Sequence, residues 1–368
     1  MRITPALFPA LLVAVACSSG DGGRAETGQV DSTAADTAAT ASAPAKPNDE
    51  MQAVLASHAS LNPKPITELS AVEARKQPSP ADAVQALLKK TGKSTAPQPV
   101  GSIVNRTIPG PGGQIKVRIY TPKGAGPFPV VVYYHGGGWV IADLDTYDAT
   151  PRAIANAANA VVVSSHYRQG PEHKFPAAHQ DAFAAYKWAL ANARSIKGDP
   201  ARVAVLGESA GGGLAGGVSI MARDSGVQLP LHQVLVYPIA GYDLETPSYR
   251  EHADAKPLNK PMMAWFFEQY LKSPADGRNP LIDLVRADLK GLPPTTIINA
   301  QIDPLRSDGE LLAKALEEAD VQTEQKTYDG AAHEFFGMGA VVGEAKEAQT
   351  MVADGLKNAF ERSQTAAR

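Results

Sequence analysis

Val203-Ala204-Val205-Leu206-Gly207-Glu208-Ser209-Ala210-Gly211 is the stretch on which the reading of this 368-residue chain turns. Its first four residues form a continuous apolar run, which reads as a strand buried on both faces. Gly207 and Gly211 stand two residues either side of Ser209, where bulky side chains would clash in a tight strand-to-helix turn. Small residues from Gly212 onward continue as a helix-like stretch. A helix starting there would aim its N–H groups and the positive end of its dipole at negative charge developing beside Ser209. The pattern presents a serine at a strand end in strained backbone, the setting of a nucleophile.

Three further pieces extend that reading. His135-Gly136-Gly137-Gly138-Trp139 directly follows the apolar run Val130 to Tyr134. Glycines let backbone approach a substrate carbonyl closely, and N–H groups there can hold an oxyanion. Gly137 and Gly138 are expected to donate, together with Ala210, while Gly136 and His135 shape the loop. Asp303 stands in Gln301-Ile302-Asp303-Pro304-Leu305, past the run Thr296 to Asn299. His333 stands in Gly330-Ala331-Ala332-His333-Glu334-Phe335-Phe336, past the strand-like Thr323 to Tyr328. A serine hydroxyl is a poor nucleophile until a base takes its proton. Neutral His333 would do so, with Asp303 fixing the imidazole tautomer and stabilising its charged form. Activity would then rise as His333 loses its proton around pH 6–7.

The rest of the chain alternates. Ile115, Val117 and Ile119 read as a strand with one buried face. The runs Val130 to Tyr134, Val161 to Val163, Val203 to Leu206, Val234 to Tyr237 and Thr296 to Asn299 read as strands of a parallel sheet covered by helices. Asp181 to Ala193 and Gly309 to Glu318 are helix-like. Residues 50–93 read as helices broken between Leu61 and Pro65 and again at Pro78 to Pro80. Between Tyr237 and Thr295 the rhythm stops for 57 residues. Within them Pro261 to Leu271 is apolar nearly all round, which suits a packed core helix that also serves as part of a cap.

From about residue 80 to the end, the chain resembles the hormone-sensitive-lipase-like family of α/β-hydrolase esterases. The resemblance is carried by His135 to Trp139, by Tyr167-Arg168 and Pro171 to Ala178, by Gly207 to Gly211, by Asp303 to Asp308 and by His333 to Phe336, in that order. The order serine, acid, histidine is itself that of α/β-hydrolases. The resemblance implies an eight-stranded, mostly parallel sheet flanked by helices, with a helical cap built from residues 50–93 and an insertion at about 240–290. It implies a catalytic domain over residues 94–368 and hydrolysis of short- to medium-chain carboxylic esters without metal or cofactor. Glu208 departs from the family's usual Asp, Gly213 from a frequent Asn, His166 from a common Asp, and Gln169-Gly170 from Leu-Ala. The same site would also serve an amidase, a lactonase or an acyltransferase, because all share the acyl-enzyme step. A non-catalytic binding protein on the same fold is the reading of another class, and the presence of all three residues argues against it.

Outside these motifs the chain restricts function mostly by exclusion. Lys plus Arg number 35 and Asp plus Glu 38, a net charge of -3, so no basic excess offers itself to nucleic acid. Cys17 is the one cysteine, which excludes an internal disulfide and a multi-cysteine zinc site. It follows Arg2, an uncharged run from Pro5 to Ala16 and the small residues Ala14-Val15-Ala16. That start resembles a bacterial lipoprotein signal, although Ala14 replaces the more usual Leu. The expectation is a signal peptide at residues 1–16, a lipidated Cys17, a flexible tether through 49 and a place in the bacterial cell envelope, with plain secretion as the alternative. That anchor would be the one contact with a membrane, a small-molecule ester the partner, and the oligomeric state is left open. Thr91 to Thr95 mimics the end of a phosphate loop, but Leu87 stands where its first glycine belongs and no strand precedes it. His166, His173 and His179 lack a zinc-binding motif and read as structural or exposed. Asp283 and Asp308 are competing acids, Asp308 being expected to face its following helix as an N-terminal charge.

Overall fold

A computed structural model describes residues 45–366. The expected signal peptide, Cys17 and nearly all of the tether lie outside the described residues. Eight strands form one sheet in the order β1-β2-β4-β3-β5-β6-β7-β8. β1 (Ser102–Gly110) and β2 (Gly113–Thr121) make an antiparallel hairpin, and β2 pairs antiparallel with β4 (Val161–His166). From there β3 (Phe128–Tyr134), β5 (Gly198–Glu208), β6 (Gln233–Val236), β7 (Thr295–Ile302) and β8 (Thr323–Ala332) run parallel. The register places Val131 beside both Val162 and Ala204, and Leu206 beside Val234.

The continuous apolar runs have their reason in this arrangement. Val130, Val132 and Tyr134 belong to the core on one face, against helices α5 (Ala177–Asn192) and α6 (Ala210–Asp224). Val131 and Tyr133, between them, belong to the core on the other face, with α4 (Ala149–Ala157) and the long α10 (Gly343–Ala366). A strand covered on both faces favours apolar side chains at successive positions. β1 was not anticipated from the sequence, because Ile108 is its one fully buried residue and no alternation marks it.

The amino-terminal helices are α1 (Asp49–Ser60), a short α2 (Ala71–Ala74) and α3 (Pro80–Lys90). The breaks expected around residues 61–65 and 78–80 correspond to caps. Ser70 opens α2 and Ser79 opens α3, each in a reciprocal capping box, with Pro80 at the first turn of α3. Asn48, just ahead of α1, is already tied to the rest of the fold. The Asn48 side chain accepts from the Met51 N–H at 2.8 Å, and the Asn48 N–H donates to the Gly330 carbonyl at 3.1 Å. The insertion after β6 holds α7 (Pro247–Glu251) and α8 (Lys260–Tyr270). α8 buries Met263, Trp265, Phe266, Phe267 and Tyr270, as its composition requires, and Tyr270 stacks on Trp139 at 4.8 Å. Lys174 Nζ donates to the Glu268 and Leu271 carbonyls at the end of α8, offsetting its C-terminal partial charge. α9 (Arg306–Glu318) joins β7 to β8.

Candidate active site

β5 ends at Glu208 and α6 begins at Ala210, so Ser209 carries the whole turn. Its backbone sits at φ 56 and ψ -119, a conformation that costs a non-glycine residue about 1–3 kcal/mol. A Cβ on Gly207 would overlap the Gly211 carbonyl, and one on Gly211 would overlap the Tyr134 carbonyl. The two glycines are therefore demanded by backbone packing on either side of the serine. β7 and β8, running parallel to β5, end at the same edge of the sheet and bring Asp303 and His333 to the serine.

Ser209 Oγ lies 3.0 Å from His333 Nε2, and His333 Nδ1 lies 2.6 Å from Asp303 Oδ2. The other Asp303 oxygen accepts the Leu305 N–H at 2.8 Å, which fixes the carboxylate. All three side chains are buried. The competing acids lie elsewhere. Asp308 sits in the first turn of α9 as expected, but its carboxylate points away from that helix. Its Oδ2 accepts the N–H groups of Ala240 at 3.1 Å and Gly241 at 3.0 Å, because the loop after β6 is packed there. Asp283 faces Arg286 at 3.6 Å.

The loop after β3 bends through Gly137 at φ 96 and Gly138 at φ 59. The Gly137 carbonyl accepts from Val140 and Ile141, which turns the peptide back on itself. A Cβ at Gly138 would overlap the ring of Phe266, and one at Gly136 the hydroxyl of Tyr147, so neither position has room for a side chain. Ala210 is the first residue of α6, where helix geometry leaves the N–H without an intrahelical acceptor. His135 sits behind the loop. Its Nδ1 lies 2.8 Å from the Gly136 carbonyl, its Nε2 3.1 Å from His166 Nδ1, and Tyr167 donates to its carbonyl at 2.8 Å. Burial, then the neighbouring His166, drives the His135 pKa down to about 3, so the ring is neutral. His179 is buried between the Tyr270 hydroxyl at 2.9 Å and the Leu281 carbonyl at 3.0 Å, whereas His173 is exposed. Among the described residues no group of three or more His, Cys, Asp or Glu is placed to hold a metal ion.

An acidic and phenolic cluster behind and beside His333, buried except for the part-exposed Glu334, was not anticipated. Glu208 accepts from the Tyr133 hydroxyl at 2.6 Å and the Tyr237 hydroxyl at 2.5 Å. Burial, then the charge of Glu334, raises its pKa to about 7. Tyr237 also packs its ring 4.6 Å from that of His333. Glu334 Oε1 accepts from the Tyr147 hydroxyl at 2.5 Å and lies 3.9 Å from His333 Nε2. Burial alone would lower the His333 pKa. The charge and hydrogen bond of Asp303, then the charges of Glu334 and Glu208, outweigh it, and the net shift is upward. Tyr133 and Tyr237 stand at the carboxyl ends of apolar runs, and a polar tip in such a place is the one sequence signal for this cluster.

Ser209, His333, Glu334, Gly137 and Gly138 open onto a cavity of about 920 Å³. Its other walls come from the amino-terminal helices and from the insertion, including Leu55, Ile66, Leu258, Met262 and Phe266. The site is thus a partly open, largely apolar pocket with Ser209 and His333 in its lining and Asp303 buried behind the imidazole. Such an arrangement can remove the serine proton, hold an oxyanion and return the proton to a leaving group.

The chain is similar to known hydrolases and esterases. Residues 131–337 match the family described as alpha/beta hydrolase fold. Carboxylesterase NlhH of Mycobacterium tuberculosis is 40% identical over 251 residues, 67% of this chain and 79% of its own length. An ethyl acetate hydrolase of Pseudomonas putida is 31% identical over 301 residues, 80% of this chain and 92% of its own length. Among solved structures, a hyperthermophilic esterase from Pyrobaculum calidifontis superimposes with a TM-score of 0.74 at 38% identity, covering 79% of this chain and 94% of that one.

Proposed function

Because the chain belongs to the hormone-sensitive-lipase-like class of the α/β-hydrolase fold family and is a serine carboxylesterase, we propose that it cleaves short- to medium-chain acyl esters with Ser209 as nucleophile, His333 as base and Asp303 as its partner. The observation that carries the assignment is the unbroken hydrogen-bond chain from Ser209 Oγ through His333 to Asp303. The ester carbonyl sits over Ser209 with its oxygen toward the N–H groups of Gly137, Gly138 and Ala210. Ser209 Oγ attacks the carbonyl carbon while His333 Nε2 takes its proton. Each N–H on the resulting oxyanion is worth about 3 kcal/mol in the transition state. Collapse breaks the bond to the alcohol oxygen, which leaves with the proton from His333, and the acyl group stays on Ser209. Water then repeats the attack and releases the acid. The apolar side chains of Leu55, Ile66, Leu258, Met262 and Phe266 in a cavity of about 920 Å³ support an acyl group of short to medium length.

Ser209→Ala tests the assignment. Hydrolysis of p-nitrophenyl butyrate should fall about 10⁴-fold or more, with the thermal midpoint kept. Turnover within tenfold of the wild type would remove Ser209 from the mechanism. We further propose, on the pattern of residues 1–17 alone, that Cys17 is lipidated after cleavage behind Ala16 and that the catalytic part works in the cell envelope.

A further inference from the structure

Glu334 has no part in the three-residue mechanism, yet several features place it in the reaction. Its backbone is left-handed, at φ 72 and ψ -1, a conformation that a glycine would adopt without strain. Glu334 lines the cavity together with Ser209 and His333, and its side chain is one-fifth exposed, at 20%. Tyr147 fixes Oε1, and that oxygen lies 3.9 Å from His333 Nε2. That nitrogen is the atom through which every proton of the reaction passes. At 3.9 Å the carboxylate is too far to bond the imidazole directly, but one small hydroxylic molecule bonded to Nε2 is within its reach. The phenol in turn is held against the glycine loop, since Gly136 has no room for a Cβ beside the Tyr147 hydroxyl.

We infer that Glu334 is a positioning residue for the water that releases the acyl group, and that it makes the enzyme favour hydrolysis over transfer of the acyl group to alcohols. The inference rests on the Ser209 acyl-enzyme proposed above. In deacylation, water donates one hydrogen to His333 Nε2 and the other to the Glu334 carboxylate, which points its lone pair at the acyl carbon. The oxygen bonds to that carbon as the first proton passes to His333. The tetrahedral intermediate then breaks the bond to Ser209 Oγ, which recovers the proton from His333, and the free acid leaves. Glu334 takes no proton in this cycle. An alcohol has a single hydroxyl hydrogen, and His333 uses it, so nothing is left to donate to Glu334. The carboxylate instead faces the alcohol's carbon chain, which burial against a charged group penalises.

The test is the partition of the acyl-enzyme. Wild type, Glu334→Gln and Glu334→Gly are given p-nitrophenyl butyrate at a fixed ethanol concentration, and ethyl butyrate and butyric acid are quantified. Loss of one charge-assisted hydrogen bond to water should raise the ester-to-acid ratio about tenfold in both variants. Steady-state release of p-nitrophenol without ethanol should slow while a stoichiometric burst persists. Glu334→Gly also relieves the left-handed strain, so its thermal midpoint should not fall. Tyr147→Phe leaves residue 334 intact and frees its carboxylate, and its ratio should rise by less. An unchanged ratio in the Glu334 variants, or a folded Glu334 variant without a burst, overturns the inference. Ser209→Ala should show no burst. A burst there would instead overturn the assignment of the nucleophile and leave this partition unexplained.

Discussion

The pH at which His333 would serve as the proposed base is set by what surrounds one imidazole. Catalysis needs the neutral ring, and the shift is upward, so the acid limb of kcat/KM should have its midpoint above the ordinary histidine value of about 6.5. This moves the expectation drawn from the sequence, which used an unperturbed histidine. The same shift stabilises the fold most below the unfolded histidine's value, and that contribution fades as pH rises through the folded one. Asp303→Asn removes the strongest upward influences and leaves burial, so its limb should move to lower pH while turnover falls about 10³–10⁴-fold. A pH–rate profile of the two proteins checks both statements, and coincident limbs would contradict them. Ser209, Asp303 and His333 were legible in the sequence because each stands in a local pattern just past a strand. Glu334, Tyr147 and Tyr237 were not, because their roles come from side chains that meet only in three dimensions, across 187 residues in the case of Tyr147 and Glu334.

At the scale of elements, α8 controls what fits beside the glycine loop. The Phe266 ring occupies the space that a side chain at Gly138 would need, so it packs against the glycine loop at one wall of the cavity. Phe266→Leu should enlarge that end of the pocket and raise the ratio of p-nitrophenyl octanoate to butyrate turnover about tenfold, the low end for a wall that loses a few carbon atoms. An unchanged ratio would place the acyl chain against another wall. The composition of α8 foretold its burial. The buried parallel strands were equally legible, because a short uninterrupted apolar run suits a strand covered on both faces. β1 and α10 were hidden for opposite reasons. β1 is a mostly exposed arm of a hairpin, and α10 buries a stripe of Ala345, Ala348, Val352 and Leu356 that charged residues dilute.

For the molecule as a whole, the sequence proposes a location that the described residues do not touch. If Cys17 carries the anchor, Cys17→Ala should move the esterase from the membrane fraction to the soluble fraction without changing its turnover of p-nitrophenyl butyrate. Retention in the membrane would remove the lipid reading and leave the hydrolase as it is. The sheet order carries a different consequence, concerning time. Ser209, Asp303 and His333 come from strands made in succession, and β8 is both the last strand in the chain and the edge of the sheet. A nascent chain stopped before residue 333 has the serine and the acid but no base. The amino-terminal segment waits as well, since Asn48 and Glu50 bond to Gly330 and Gly343 on either side of the histidine loop. Contacts so distant in sequence close late. A newly made molecule therefore gains its proposed base only after nearly all of the described fold has been synthesised.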